Sequence, residues 1–260
     1  SRGSNGVIII TTKKGRKGQP VSISYNGSMT VGMKKNIIDV MDAAQYRDFI
    51  KKSFGEASTQ YSALGTADTN WQDLIYRTSI SHDHNVTVAG AAGSLPYRVS
   101  VGYTDQQGII KTSDFKRLTG SINLNPSLLN DHLVFNLNAK GMLAKSIYAD
   151  GSAVGNATRM DPTQDPYSYT SAYHKAFFGN NMAKTLSNFG GYFQWTASGI
   201  DGDPSWPFNF NTVGKLYNPL AILALKDDQA NSREFIGSAD VDYKVHGFED
   251  LRLHATLGAD

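Results

Sequence analysis

The sequence predicts an all-β chain: an antiparallel transmembrane β-barrel fragment of about seven strands, preceded by one short strand of a different kind. Three observations carry that prediction. Apolar and small polar residues alternate with a period of two over stretches beyond ten residues, whereas ordinary strands average about five or six. Charged residues make up only 18% of the chain, yet mean hydropathy is −0.35, so uncharged Gly, Asn, Ser and Thr supply the polarity. The connections also alternate strictly between short and long, as the two ends of a membrane barrel do.

Before Pro20, Val7-Ile8-Ile9-Ile10 is a run with no polar face, which reads as a strand buried on both sides. Gly3, Gly6 and Gly15 punctuate it, and Lys13, Lys14, Arg16 and Lys17 form a basic connector. That run implies a small packed unit ending within residues 1–19, with the barrel portion spanning 20–260.

The first long strand places Val21, Ile23, Tyr25, Met29, Val31 and Met33 on one side and Ser22, Ser24, Asn26, Ser28 and Thr30 on the other. Ile80 to Ala89 forms the second. Leu95, Tyr97, Val99, Val101 and Tyr103 mark the third, and Leu118, Ile122 and Leu124 the fourth. Leu133, Phe135, Leu137, Ala139 and Leu143 alternate with Asn136, Asn138 and Lys140 in the fifth. Phe235, Ala239, Val241, Tyr243 and Val245 oppose Ser238, Asp240, Asp242 and Lys244 in the sixth, and Leu251, Leu253, Ala255 and Leu257 carry the seventh. Tyr97, Tyr103, Phe115, Phe235 and Tyr243 fall towards strand ends and are expected on the apolar face, where an interfacial girdle belongs.

Short links are expected around 93–94, 126–131 and 246–250, and between them come long ones at about 34–79 and 147–230 and a tighter one at 106–113. In the first long link, Asp39 and Asp42 are candidate caps before Ala43, and Thr69 with Gln72 has capping-box spacing before Leu74 and Ile75, so two short helices are predicted. The second is rich in Tyr, Trp, Phe, Pro, Asn and Gly. A disordered segment holds few aromatics, so an ordered and functional loop is predicted.

Composition narrows the function classes. Twenty-five Lys and Arg against 23 Asp and Glu leave a net charge of +2, which gives no footprint for a nucleic-acid partner. With no Cys there is no disulfide framework or thiolate chemistry. The longest apolar run, Leu220 to Leu225, is far below the roughly 18 residues of a membrane-spanning helix. The chain opens on Ser1 without a leader pattern and closes on Asp260 inside an alternating run, so an internal segment of a longer protein is expected.

Candidate chemistry is sparse, and no catalytic, cofactor or metal set emerges. His82 and His84 share a strand face, but nothing completes a ligand set around them. Asp161, Asp165, Asp201 and Asp203 are expected as solvated turn residues of Asp-Pro and Asp-Gly steps rather than paired catalytic carboxylates. The Gly-rich opening lacks the Lys-Ser/Thr ending of a phosphate loop and runs into a strand. Among the loop aromatics, Trp195, Trp206 and Tyr192 are the ligand candidates, since flat rings with polar edges suit sugar rings or peptide side chains. The plainer reading of any one ring is a small core that holds the loop together.

Arg2-Gly3-Ser4-Asn5-Gly6-Val7-Ile8-Ile9-Ile10-Thr11-Thr12-Lys13-Lys14-Gly15 resembles the end of the plug domain of TonB-dependent outer-membrane transporters, in the SusC/RagA-like branch. Asn70-Trp71-Gln72-Asp73, His84-Asn85-Val86-Thr87-Val88, Tyr97 to Tyr103, Gln107-Gly108-Ile109 and Ser113 to Arg117 resemble that branch's first barrel hairpins. These blocks lie in roughly the first half of the chain. Beyond them, Tyr217-Asn218-Pro219-Leu220 is similar.

The resemblance implies a plugged 22-stranded barrel in the bacterial outer membrane that binds no cofactor. It implies import of oligosaccharide or oligopeptide across that membrane with a SusD-like substrate-binding lipoprotein. Energy would come through TonB, acting on upstream residues outside this sequence. Two other readings share the strand pattern. A passive porin would not be preceded by a buried strand, and a secreted carbohydrate-binding β-sandwich would express as a compact soluble monomer with no heat-dependent shift on a gel.

Overall fold

The computed structural model describes residues 17, 18, 20–195 and 216–260; the predicted Val7 to Ile10 strand lies outside them. Its strands are β1 (Ser22–Gly32), β2 (Ser79–Ala92), β3 (Leu95–Gln107), β4 (Asp114–Leu124), β5 (Ser127–Leu128), β6 (Leu133–Ile147), β7 (Gln229–Lys244) and β8 (Arg252–Ala259). They form one antiparallel sheet in the order β1-β2-β3-β4-β6-β7-β8, with β5 paired to β6. Every long strand lies beside its neighbour in sequence, which is the up-and-down order of a barrel wall.

β5 is an addition to the seven expected strands. Leu129, Asn130 and Asp131 all adopt positive φ, at 54°, 54° and 66°. That reversal is tight enough to bring Ser127 and Leu128 into register with Val134 and Leu133.

Register explains the alternation. Val88, Val99, Ile122, Ala139 and Gly237 form one cross-strand row, and Val86, Val101, Gly120, Gly141 and Phe235 the next. Both rows lie on one continuous apolar face. Val101, Leu118 and Leu143, on inner strands with a neighbour on each side, are 53%, 46% and 52% exposed there, and among the described residues nothing covers them. From Leu133 to Leu143 this face runs about 33 Å along β6; at a tilt near 40° it spans about 25 Å, the height of a barrel's lipid-facing band.

The opposite face is polar and internally bonded. Asn123 and Asn138 bond side chain to side chain, and Asn138 Nδ2 donates to Ser238 Oγ at 3.2 Å. Thr104 Oγ1 donates to Asp83 Oδ2 at 2.5 Å and accepts from Arg117 at 3.4 Å. Phe115 belongs to this polar face, contrary to the sequence expectation. It pairs with Ser146 and Gln106, and the Arg117 guanidinium lies 5.8 Å from its ring centroid. The parity that sends Leu118 outward sends Phe115 inward.

The helices lie in the long connections: α1 (Ala43–Phe54), α2 (Thr59–Ser62), α3 (Trp71–Ile75), α4 (Ser152–Ala157), α5 (Ala172–Phe178), α6 (Met182–Asn188) and α7 (Pro219–Leu225). None is long and apolar enough to cross a membrane. Asp42 caps α1 in a capping box with Gln45. The first long connection holds three helices rather than two. α3 is capped by Asn70, not Thr69; the Thr69 hydroxyl donates to Gln164 O at 2.7 Å in the other long loop. Gln72 instead bonds the Ile38 backbone in both directions, at 2.7 and 3.0 Å.

Candidate functional site

Among the described residues, the largest cluster of buried apolar side chains lies not in the sheet but where the two long loops meet. Trp71 and Ile75 from the first loop join Met160, Tyr169, Phe178, Phe193, Leu220 and Leu223 from the second, all 7% exposed or less. A seam of backbone hydrogen bonds aligns the loops. Ala67 N donates to Thr163 O at 3.0 Å, and Thr69 N to Pro162 O at 2.8 Å. Gly65 N reaches Thr163 Oγ1 at 2.9 Å, and a Cβ at Gly65 would sit 2.1 Å from Thr163 O, so only glycine permits this approach.

Asp161 anchors the seam from inside. Its carboxylate accepts from Thr163 N and Oγ1, both at 2.7 Å, and from Gln164 Nε2 at 2.9 Å, while its carbonyl accepts from Trp71 Nε1 at 2.9 Å. Burial pushes its pKa up, against those hydrogen bonds and the field of Arg47. The expected solvated turn is therefore a buried carboxylate at this position. Asp165 does form the expected turn, accepting from Tyr167 N at 2.7 Å. Asp201 and Asp203 lie outside the described residues.

Asn218 ties the far end of the loop to this core. Its Oδ1 caps α7 through Leu220 N at 2.9 Å and Ala221 N at 3.4 Å, and Pro219 takes the first helical turn. Its Nδ2 donates to Pro166 O and Phe193 O, both at 3.0 Å, so one fully buried amide joins three segments. The Asn-Pro step before an apolar run signals the cap; nothing in sequence signals the two distant carbonyls.

His174 carries no sequence signal either. It is fully buried among Tyr169, Phe178, Phe193 and Trp195, with Nδ1 2.6 Å from Ser171 Oγ, and Nε2 has no hydrogen-bond partner among the described residues. Burial lowers its pKa to about 4, so the ring is neutral at physiological pH. At the base of the loop, Lys226 bridges Asp150 at 3.1 Å and Asp228 at 3.3 Å. Hydrogen bonds from Ser152, reinforced by Lys226, hold Asp150 down at about 2.

Tyr192 packs half-buried against this core, 5.5 Å from Tyr167, which is 57% exposed. Trp195 is half-buried, its ring 5.4 Å from both His174 and Phe193. Trp206 lies outside the described residues. Nothing in the sequence distinguishes Tyr167 from Tyr169, two residues on and buried. His82 and His84 do share the apolar face. His84 Nδ1 lies 2.6 Å from the Tyr25 hydroxyl, and the His82 ring is 5.9 Å from that of Tyr103.

A sheet with one lipid-suited face, one polar face and its long loops gathered at one end is a wall section of an outer-membrane-type barrel. Solved structures agree on that fold. The chain superposes on the RagAB peptide importer in its open-open state with a TM-score of 0.63, at 16% identity, over 99% of this chain and 29% of that one. The closed-closed state gives 0.61 at 17% identity. No protein-family model matches the chain.

The TonB-dependent receptor SusC of Bacteroides thetaiotaomicron is 47% identical over 267 aligned residues, covering all of this chain and 24% of SusC. TonB-dependent receptor P3 of Formosa agariphila is 34% identical over 119 residues, 46% of this chain and 11% of that protein. The chain belongs to the SusC/RagA-like family of TonB-dependent receptors and spans about a quarter of the length of SusC.

Proposed function

We propose that this chain is part of a TonB-dependent importer in the bacterial outer membrane, which carries nutrient oligomers, glycan or peptide, inward without bond chemistry. The observation that supports it best is the two-faced sheet, whose apolar side is uncovered and whose polar side carries cross-strand side-chain ladders. In this reading residues 1–19 end the plug and 20–260 begin the barrel. The apolar face meets lipid, the ladders line the lumen, and the loop module faces outward beneath a SusD-like lipoprotein. Tyr192 with Tyr167, Trp195 and Trp206 supply ring surfaces for the captured oligomer.

The uncovered apolar face weighs against a soluble sandwich, which buries that face. A passive porin differs in energy coupling. The test is uptake of fluorescent oligosaccharide and oligopeptide libraries by cells carrying or lacking the full-length gene, with and without collapse of the proton gradient. Gene-dependent uptake that stops on collapse is expected. Uptake indifferent to the gradient overturns active import, and none of either class overturns the transport reading.

A further inference from the structure

On the proposed membrane-facing side, the apolar band ends in an excess of positive charge. Lys116 of β4 and Lys145 of β6 are direct cross-strand partners, an arrangement of like charges that costs stability unless an anion lies between them. Arg233 of β7 shares this face one row nearer the middle of the band, paired with Leu143. Lys116 has one counter-ion, Asp105, at 3.4 Å. Lys145, flanked by strands on both sides, has no hydrogen-bond or ion-pair partner among the described residues, and Arg233 lies on the stretch of β7 beyond its pairing with β8. Asp114, on the same face, is matched by Arg77 at 3.4 Å.

Immediately below the cations the wall is notched. Gly120 and Gly141 are direct partners, so two adjacent strands lack a side chain at the same height. The notch holds about 720 Å³ between Val101, Leu118, Ile122, Leu143 and Phe235. A second depression of about 460 Å³ surrounds Lys116 and Lys145. The two share Leu118, Leu143 and Arg233, so a cationic cleft opens directly into an apolar groove.

We propose that this composite depression is a binding site for a phosphorylated lipid of the outer leaflet, with its phosphate among Lys116, Lys145 and Arg233 and an acyl chain in the Gly120–Gly141 notch. Charge complementarity selects the headgroup, and the groove beneath it selects a molecule with a tail. The end of the sheet fits as well, because the cluster lies where β6 leaves for its long loop, the extracellular side of a barrel. A bound phosphate also removes the repulsion between the paired lysines. The inference rests on the outer-membrane reading above.

The test uses delipidated full-length protein in detergent, titrated with phosphatidylglycerol, lipid A or phosphatidylcholine and read by native mass spectrometry, with inorganic phosphate as competitor. Tight binding of the two anionic lipids over phosphatidylcholine is expected, undiminished by millimolar phosphate. Replacing Lys116, Lys145 and Arg233 by Gln should weaken it by roughly fivefold per charge and on the order of a hundredfold together.

Gly120→Val fills the notch where a Cβ meets nothing within 4 Å. It should therefore fold, keep the cations and still lose affinity. Equal binding by the variants, equal binding of phosphatidylcholine, or displacement by free phosphate overturns the proposal. Heat-modifiable gel mobility of the same samples reports the barrel independently: a protein lacking it contradicts the outer-membrane reading, and one retaining it without lipid selectivity contradicts only the lipid site.

Discussion

The barrel wall and the loop module solve opposite problems with one chain. Wall strands leave Ile23, Val101, Phe235 and Leu257 exposed and place their polar side chains where neighbouring strands satisfy them. The module hides Trp71, Ile75, Phe193 and Leu223 and buries Asp161, Gln164, His174 and Asn218 beside them. Stability of the wall therefore resides in ladder hydrogen bonds and contact with lipid. That of the module resides in apolar burial, as in a soluble domain, with a few buried polar anchors. The two regions should answer the same substitutions differently.

The largest difference is expected for truncation inside the module. Phe193→Ala empties a fully buried site and should destabilise the loops by about 3–5 kcal/mol. Faster hydrogen exchange across 160–195 and 216–228, with unchanged heat-modifiable mobility, would show that module and wall unfold separately.

Next comes a pair of charges on the wall. Val101→Arg puts a cation into the apolar band and should cost about 2–4 kcal/mol in a bilayer folding assay, whereas Ser100→Arg, one residue along and facing the lumen, should cost about 1 or less. Equal costs would break the assignment of faces.

Acid should loosen the module before the wall. Below His174's ordinary value of 6.5 the unfolded chain takes up a proton that the folded site refuses until about pH 4. The stabilisation is therefore complete above that ordinary value and falls as pH drops towards 4, by roughly 3 kcal/mol. Exchange in the α5 region should quicken over that window, and His174→Leu should flatten the dependence. The smallest effect belongs to Lys226→Ala at the exposed clasp. Exchange of Tyr148 N, which donates to Asp228 O at 2.8 Å, should rise no more than a few-fold, because solvated ion pairs contribute little.

The wall is largely legible in the amino-acid pattern alone. Strand positions, the short and long connections and the two faces follow from a period of two, which each strand displays without reference to its partners. Phe115 is the instructive exception. Its aromatic character suggests the girdle, while its parity with Arg117 puts it on the lumen face, and parity governs because side-chain direction in a strand is set by the backbone. The module is legible only as something ordered. Its defining contacts join residues far apart, such as Trp71 Nε1 and Asp161 O across 90 positions. Thr69 illustrates the limit: its spacing to Gln72 predicts a cap, whereas Asn70 caps the helix and the Thr69 hydroxyl donates into the second loop.

Which residues turn to lipid and which to the lumen follows from the amino-acid pattern, since alternation is a local property of extended backbone and survives any choice of neighbours. Which loop aromatics become core and which remain surface is set by three-dimensional packing. Tyr167 and Tyr169 are the same residue two positions apart, and Tyr169 is buried because His174 and Phe178 of α5 and Phe193 from further along the loop pack on its ring.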